Sequence, residues 1–372
     1  MTATRTLNLP QKLESIQGLR GIAALLVLFF HLASFQRQMA EDNAYDVALV
    51  SGIWDNGWAG VDLFFVISGF IMVYVTRHTG RNLRDVRRFI TSRITRIYPL
   101  WWVCAGIMTL YFWITYGIPA APDRIADSSE ATAYAVKSFL LIPQQFEPVL
   151  GLGWTLIHEM FFYIVFAGLL FLPRKHLTFA MLIWAALTII GAQFIQQLGI
   201  GGNIAKVALS PLSLEFIAGG FAAYFITSKS VVRPKVLFVI GIMLAFLGFL
   251  FFPDDEAVSQ TVLRVAIFTM PLTCLVYGWV GCELKERWTT PKWLLQLGDW
   301  SYSLYLTHYI VFVALRRVYR MIVPEGFWVG APGVWDNIIF AVLALSLSVI
   351  TASIFYNFIE RPSLKFFKRR RA

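Results

Sequence analysis

The sequence predicts an all-α fold, a polytopic transmembrane helix bundle of about ten helices with both termini in the cytoplasm. Three observations predict it. Hydrophobic residues make up 58% of the chain and charged residues 15%, with a mean hydropathy of +0.64, outside the range of soluble domains. Apolar stretches of roughly 17–23 residues recur along the whole length, each long enough to cross a hydrocarbon core of about 30 Å as a helix. These stretches are continuously apolar, whereas a barrel would alternate in segments of about ten residues.

The spans fall at about 15–35, 58–76, 97–117, 152–172, 177–195, 210–228, 236–252, 261–281, 300–320 and 338–358. With a cytoplasmic N-terminus, the inner loops carry Arg77, Arg81, Arg84, Arg87, Arg88, Arg93 and Arg96, then Arg174 and Lys175, then Lys229, Arg233 and Lys235, and last the tail Lys365, Lys368, Arg369, Arg370 and Arg371. The outer loops carry Glu41, Asp42, Asp46 and Asp55, then Asp123, Asp127 and Glu130, then Asp254, Asp255 and Glu256. This asymmetry obeys the positive-inside rule. Arg316, Arg317 and Arg320 run against it at the outer end of the ninth span, either snorkelling to headgroups or forming an anion site. The net charge of +10 is therefore a topology signal, and no nucleic-acid partner is implied.

The first span has no small-residue cleavage site after it and is expected to stay as an anchor. The outer loop at about 118–150 has room for an interfacial helix at 130–142. Cys104, Cys274 and Cys282 lie in or beside spans without metal-ligand or disulfide spacing, and no metal site is predicted. Residues 1–372 read as one membrane domain, its core at about 13–365, with a short cytoplasmic N-terminus and a basic tail.

Ionisable residues at membrane depth carry the functional signal, because each costs several kcal/mol unless it faces a cavity or a partner. Arg20 and His31 are eleven residues apart in QGLRGIAALLVLFFHL, three helical turns plus about 20°, so they share one stripe about 16 Å long. A lone His31 would be a structural histidine; with Arg20 on its stripe the functional reading gains weight. Asp62 in WAGVDLFFVISGF either caps the second span or orients polar groups of a site. Arg93 and Arg96 stand one turn apart at the inner mouth of span three, suited to a phosphate-bearing ligand or to anionic lipid. In WTLIHEMFFY, Glu159 can orient a histidine and stabilise its imidazolium, either His158 locally or His31 across helices. His308 in SYSLYLTHYI is another candidate base, or else a packing residue; Glu215 in LEFIAGG is a candidate structural partner.

The blocks LESIQGLRGIAALLVLFFH, GVDLFFVISGF, RITRIYPLWW, WTLIHEMFFY, SYSLYLTH and NFIERP, in that order from residue 13 to about 365, together resemble the membrane acyltransferase 3 family, in particular its exopolysaccharide O-acetyltransferase branch. The resemblance implies a ten-helix bundle in a bacterial inner membrane. Its donor would be cytoplasmic acyl-CoA, usually acetyl-CoA, with no permanently bound cofactor. The acceptor would be a hydroxyl of an exopolysaccharide, a lipopolysaccharide or a lipid-linked saccharide. By motif, His31 corresponds to the family's essential histidine with Arg20 as its arginine, Arg93 and Arg96 to the donor-side R-x-x-R pair, and Glu159 to the acidic residue of the WSLxxE-like block. Thr155 and His158 depart from the commoner residues of that block, so His158 stays beside His31 as a candidate base. The extracytoplasmic hydrolase-like domain of some relatives is not expected here, which leaves acceptor handling to loops or to polysaccharide-assembly proteins.

The mechanism expected from these residues has His31, oriented by Glu159, deprotonate a sugar hydroxyl that attacks the thioester, while Arg20 or backbone donors stabilise the oxyanion. An acyl-histidine or acyl-serine intermediate stays open. The alternative from another class is a transporter or flippase of a small acylated or glycan substrate, for which the buried charges would line a pathway. Inverted repeats with matching broken helices would favour it, and none is clear in the sequence.

Overall fold

The structure, a computed structural model, describes residues 9–42, 52–120, 125, 128–198, 202–228, 231–251, 262–322 and 334–369. Among them there is no strand. In chain order the helices are α1 (Glu14–Asp42), a 3-10 turn (Gly52–Asn56), α2 (Ala59–Val75), α3 (Leu83–Tyr116), α4 (Ser128–Leu140), α5 (Gly153–Leu169), α6 (Arg174–Leu198), α7 (Asn203–Ala208), α8 (Ser213–Ser228), α9 (Pro234–Phe251), α10 (Val262–Glu286), α11 (Lys292–Ile322) and α12 (Val334–Phe355). A π turn (Tyr356–Glu360) then leads into α13 (Arg361–Arg369).

Among the described residues, eight helical stretches are long and apolar enough to cross a membrane, and they coincide with eight of the ten expected spans. The other two expected spans are also helical. Span 152–172 is the shorter apolar helix α5, and span 300–320 lies on α11, whose polar first turns and Arg316, Arg317 and Arg320 dilute its hydropathy. The protein is thus an integral, multi-pass membrane protein. Two boundaries moved. The third span is the second half of one helix that begins at Leu83, so Arg93 and Arg96 sit inside α3 and not in a loop before it. The interfacial helix expected at 130–142 is α4, Ser128–Leu140. Of the topology-setting residues, Asp46, Asp123, Asp127, Lys229, Asp254, Asp255, Glu256, Arg370 and Arg371 lie outside the described residues, as do the side chains of Glu41, Asp42 and Arg320.

The chain divides into two compact units, each assembled from separate stretches: Met1–Ile67 with Phe225–Asn357, and Ser68–Tyr224 with Phe358–Ala372. In the first unit α1 packs along α11. Side-chain contacts between them have nearly constant sequence separations of 282, 277 and 278, from Gln17 through His31 to Gln38, so the two helices run parallel. Their close approach at one end requires a glycine, since a Cβ on Gly298 would stand 2.0 Å from the Gln17 carbonyl oxygen. The N-terminus of α1 is capped from α10: the Glu283 carboxylate accepts from the backbone N–H groups of Glu14 (2.9 Å) and Ser15 (2.8 Å), two of the donors that a helix start leaves unsatisfied. Helices α9 and α10 pair antiparallel, Gly241 against Leu275 and Gly248 against Phe268.

In the second unit, α3 carries the C-terminal end of α4. Trp101 Nε1, Trp102 Nε1 and the Tyr98 hydroxyl donate to the carbonyls of Ser138, Phe139 and Leu140 in the last helical turn, where carbonyls lose their ordinary intrahelical donors. Helix α2 meets α8 backbone to backbone at Gly69, where a Cβ would lie 1.9 Å from the Phe216 carbonyl oxygen. The Phe216 ring stacks on Phe162 of α5 (centroids 4.0 Å), which in turn stacks on Trp184 of α6 (4.9 Å). These contacts fix α2 and α5 beside each other, and that placement positions the polar groups described next.

Candidate active site

In the first unit, His31 of α1 and His308 of α11 form a pair. His31 lies one turn beyond Val27 and its Nδ1 is 2.9 Å from the Val27 carbonyl oxygen; His308 Nδ1 is 2.9 Å from the Leu304 carbonyl oxygen. A carbonyl only accepts, so each Nδ1 carries the proton. His308 Nε2 is then an unprotonated nitrogen, and it faces the Nδ1–H of His31 at 3.3 Å. With Nδ1 engaged by two acceptors, the basic nitrogen of His31 is Nε2, which among the described residues meets no hydrogen-bond partner. His308 is buried and His31 half-buried, with Phe30, Tyr309 and Phe312 around the two rings.

Arg20 stands on the same helix as His31, as its spacing requires. Its Nη1 donates to Gln17 Oε1 at 3.0 Å, and the Gln17 amide donates in turn to the Asp299 carboxylate, which also pairs with Lys12 (3.2 Å). Arg20 therefore belongs to a polar network at the start of α1 and α11.

Asp62 neither caps α2 nor joins a histidine. It is fully buried and forms a bidentate pair with Arg264 of α10: Nη2 to Oδ1 at 2.7 Å and Nε to Oδ1 at 3.1 Å, with the guanidinium 4.2 Å from the Trp58 ring. Both charges are spent on each other, and the pair holds α2 to α10. Arg264 is a residue the sequence reading passed over, although an arginine inside the span at 261–281 is itself a signal.

In the second unit, Glu159 of α5 accepts from two hydroxyls. Tyr163, one turn on, donates to Oε1, and Ser68 Oγ of α2 donates to the same oxygen at 3.1 Å. The Ser68 and Tyr163 hydroxyls are 3.5 Å apart. Arg93 of α3 lies with its guanidinium 5.4 Å from the Phe89 centroid and 5.7 Å from that of Tyr163. Its neighbour in the R-x-x-R pair is differently placed: Arg96 Nη1 is 2.8 Å from Glu360 Oε1, and Glu360, in the π turn, is buried. His158, adjacent to Glu159 in sequence, turns to Trp154 instead (centroids 5.7 Å).

The grouping thus differs from the expected one. His31 is oriented by His308 and the Val27 carbonyl, a role the sequence reading gave to Glu159, whereas the hydrogen bonds of Glu159 go to Ser68 and Tyr163. Ser68, Tyr163 and Glu360 were not singled out, though all three fall inside quoted motif blocks.

Known proteins resemble the chain along most of its length. The chain is 31% identical over 328 residues to the exopolysaccharide production protein ExoZ of Rhizobium meliloti (strain 1021), covering 85% of this chain and 92% of that one. It is 24% identical to the acyltransferase MdmB of Streptomyces mycarofaciens, over 97% of this chain and 94% of the relative. To the O-acetyltransferase OatA of Staphylococcus aureus (strain NCTC 8325 / PS 47) it is 26% identical, over 96% of this chain and 58% of the relative. No solved structure matches. The acyltransferase domain model matches residues 13–357, and the chain therefore belongs to the membrane acyltransferase 3 family and is an acyltransferase enzyme.

Proposed function

We propose that the protein transfers an acetyl group from acetyl-CoA to a hydroxyl of an exported or cell-surface glycan, from within a bacterial inner membrane. The observation that carries this reading is the His31–His308 pair. Two backbone carbonyls and a second imidazole fix the tautomer of His31, which leaves Nε2 as a base of defined direction inside an apolar surround. When Nε2 takes a proton from a sugar hydroxyl, the imidazolium that forms keeps its Nδ1–H on His308 Nε2 and the Val27 carbonyl, so the new charge is stabilised by acceptors already in place. A general base so held contributes roughly 10²–10⁴-fold to the rate.

Arg93 and Arg96 take separate parts. Glu360 cancels the charge of Arg96 and fixes its side chain. Arg93 meets aromatic faces and the hydroxyl of Ser92 (3.2 Å), so it keeps its charge for a phosphate of the donor. The glycan acceptor accords with the names of the relatives, one a protein of exopolysaccharide production and one an O-acetyltransferase.

The test is transfer of radiolabelled acetyl from acetyl-CoA to lipid-linked or polymeric glycan in membranes carrying wild type or His31→Ala at equal abundance. Label in glycan with wild type alone is the expected result. Label that survives His31→Ala moves the base elsewhere, and no label above membranes lacking the protein overturns the acetyl-CoA reading.

A further inference from the structure

The Ser68–Glu159–Tyr163 cluster has no part in the direct attack of a sugar hydroxyl on a thioester. Its simplest explanation is solvation, in which two hydroxyls satisfy a carboxylate in a low-dielectric interior. Two features go beyond that. Helical hydroxyls in this protein regularly bond back to the carbonyl one turn earlier, as do Ser34 to Phe30, Thr76 to Met72, Ser138 to Tyr134 and Thr307 to Ser303. Ser68 instead directs its hydroxyl across to a carboxylate on another helix. The donors to Glu159 also differ in access: Tyr163 is buried, whereas Ser68, Glu159 and Arg93 are all half-buried, with the Arg93 guanidinium over the Tyr163 ring, 5.7 Å from its centroid. A hydroxyl in hydrogen-bond reach of a base, the base held by a third group, and a cation alongside make up the constellation of an activated oxygen nucleophile.

We propose that Ser68 carries the acyl group between donor and acceptor as an oxygen ester, with Glu159 as its base. The proposal rests on the acetyl-CoA reading above. In the first step Ser68 Oγ bonds to the thioester carbonyl carbon and its proton passes to Glu159. The carbon–sulfur bond breaks, and the departing thiolate takes the proton from Glu159, so the products are free CoA thiol, an acetyl-Ser68 ester and an ionised Glu159. In the second step a glycan hydroxyl gives its proton to His31, the base of the reading above, as its oxygen bonds to the ester carbonyl carbon; the bond from that carbon to Ser68 Oγ breaks, and Ser68 Oγ takes up a proton in place of the one His31 then releases. Tyr163 is a positioning residue here, holding the carboxylate from the buried side.

The experiment is to incubate detergent-solubilised full-length protein with labelled acetyl-CoA and no acceptor, quench in acid and map the label by peptide mass spectrometry. Wild type should carry acetyl on the peptide containing Ser68. His31→Ala, which is impaired in the second step alone, should carry at least as much. Ser68→Ala should carry none and should lose transfer to glycan by about 10²-fold or more. Ser68→Cys guards against misfolding as the cause, since it keeps the size of the residue and should convert an ester stable to neutral hydroxylamine into a labile thioester. Glycan acetylation by wild type with no labelled enzyme in either wild type or His31→Ala overturns the proposal and leaves the acetyl-CoA reading intact. So does label on another residue, or full transfer by Ser68→Ala. Absence of both labelled enzyme and labelled glycan overturns both.

Discussion

His308 Nε2 faces His31 Nδ1 at 3.3 Å, and each ring's Nδ1 is tied to the carbonyl of the preceding turn. His308 thereby acts through His31. Replacing it with leucine removes an acceptor from the imidazolium and should lower acetyl transfer about 10–100-fold, the scale on which a histidine's orienting partners act. His308→Gln supplies an amide oxygen as acceptor and should recover part of that loss, while KM for acetyl-CoA stays near the wild-type value in both. Initial rates in membranes of equal protein content decide it; equal losses for His308→Leu and His308→Gln would show that packing alone matters.

The two arginines of the R-x-x-R pair should separate when mutated. Arg93→Ala should raise KM for acetyl-CoA while leaving protein abundance unchanged, because its guanidinium touches ring faces and a neighbouring hydroxyl. Arg96→Ala removes the cation 2.8 Å from a buried carboxylate, a change that costs about 3–5 kcal/mol, and should lower the yield of folded protein. Adding Glu360→Gln to Arg96→Ala should return much of that yield, as read by fluorescence-detected size exclusion.

Asp62 and Arg264 call for the same logic without a catalytic readout. Asp62→Asn leaves Arg264 buried and charged without its partner, at a cost of about 3–5 kcal/mol, and should lower the thermal midpoint in detergent. The double replacement Asp62→Leu with Arg264→Met should be more stable than Asp62→Asn alone. A midpoint for Asp62→Asn equal to wild type would mean that the pair is not buried in the protein as it stands in a bilayer.

Helix contact at Gly69 predicts a sharp difference between two glycines. A methyl at Gly69 would overlap the Phe216 carbonyl, so Gly69→Ala should push α2 from α8 and destabilise by about 1–3 kcal/mol, the range for overpacking. At Gly106 a Cβ meets nothing within 4 Å, and Gly106→Ala should be neutral or stabilise by about 0.5–1 kcal/mol through helix propensity. Thermal midpoints of the two variants, measured side by side, test the pair.

The helices were legible because lipid forces every backbone group to be satisfied within its own segment, so long apolar runs have one solution. Period and spacing also placed Arg20 and His31 on one helix, and the cost of an ionisable group at membrane depth drew attention to His308 and Glu159. Pairing was not legible. Asp62 finds Arg264 across 202 residues of chain, and nothing local in either segment names the other. Glu159 was assigned to a histidine because a carboxylate can hold an imidazole's tautomer and stabilise its imidazolium, yet its bonds go to Ser68 and Tyr163, hydroxyls that look like ordinary helix residues in a sequence. Glu360 was hidden by its place in a closing motif, where a carboxylate beside Arg361 suggests a solvated pair and not a buried partner for Arg96.

The Arg96–Glu360 pair also fixes how strongly this face of the protein responds to ionic strength. Two arginines one turn apart would offer a nucleotide two units of positive charge, and capture of the donor would fall steeply as salt is added. With one of them neutralised by a carboxylate 2.8 Å away, the pair offers the field of a single cation, screened over a Debye length of about 8 Å at physiological ionic strength. Donor capture here should therefore weaken with salt as it would at one charge, and removing the Glu360 carboxylate should steepen that dependence toward two.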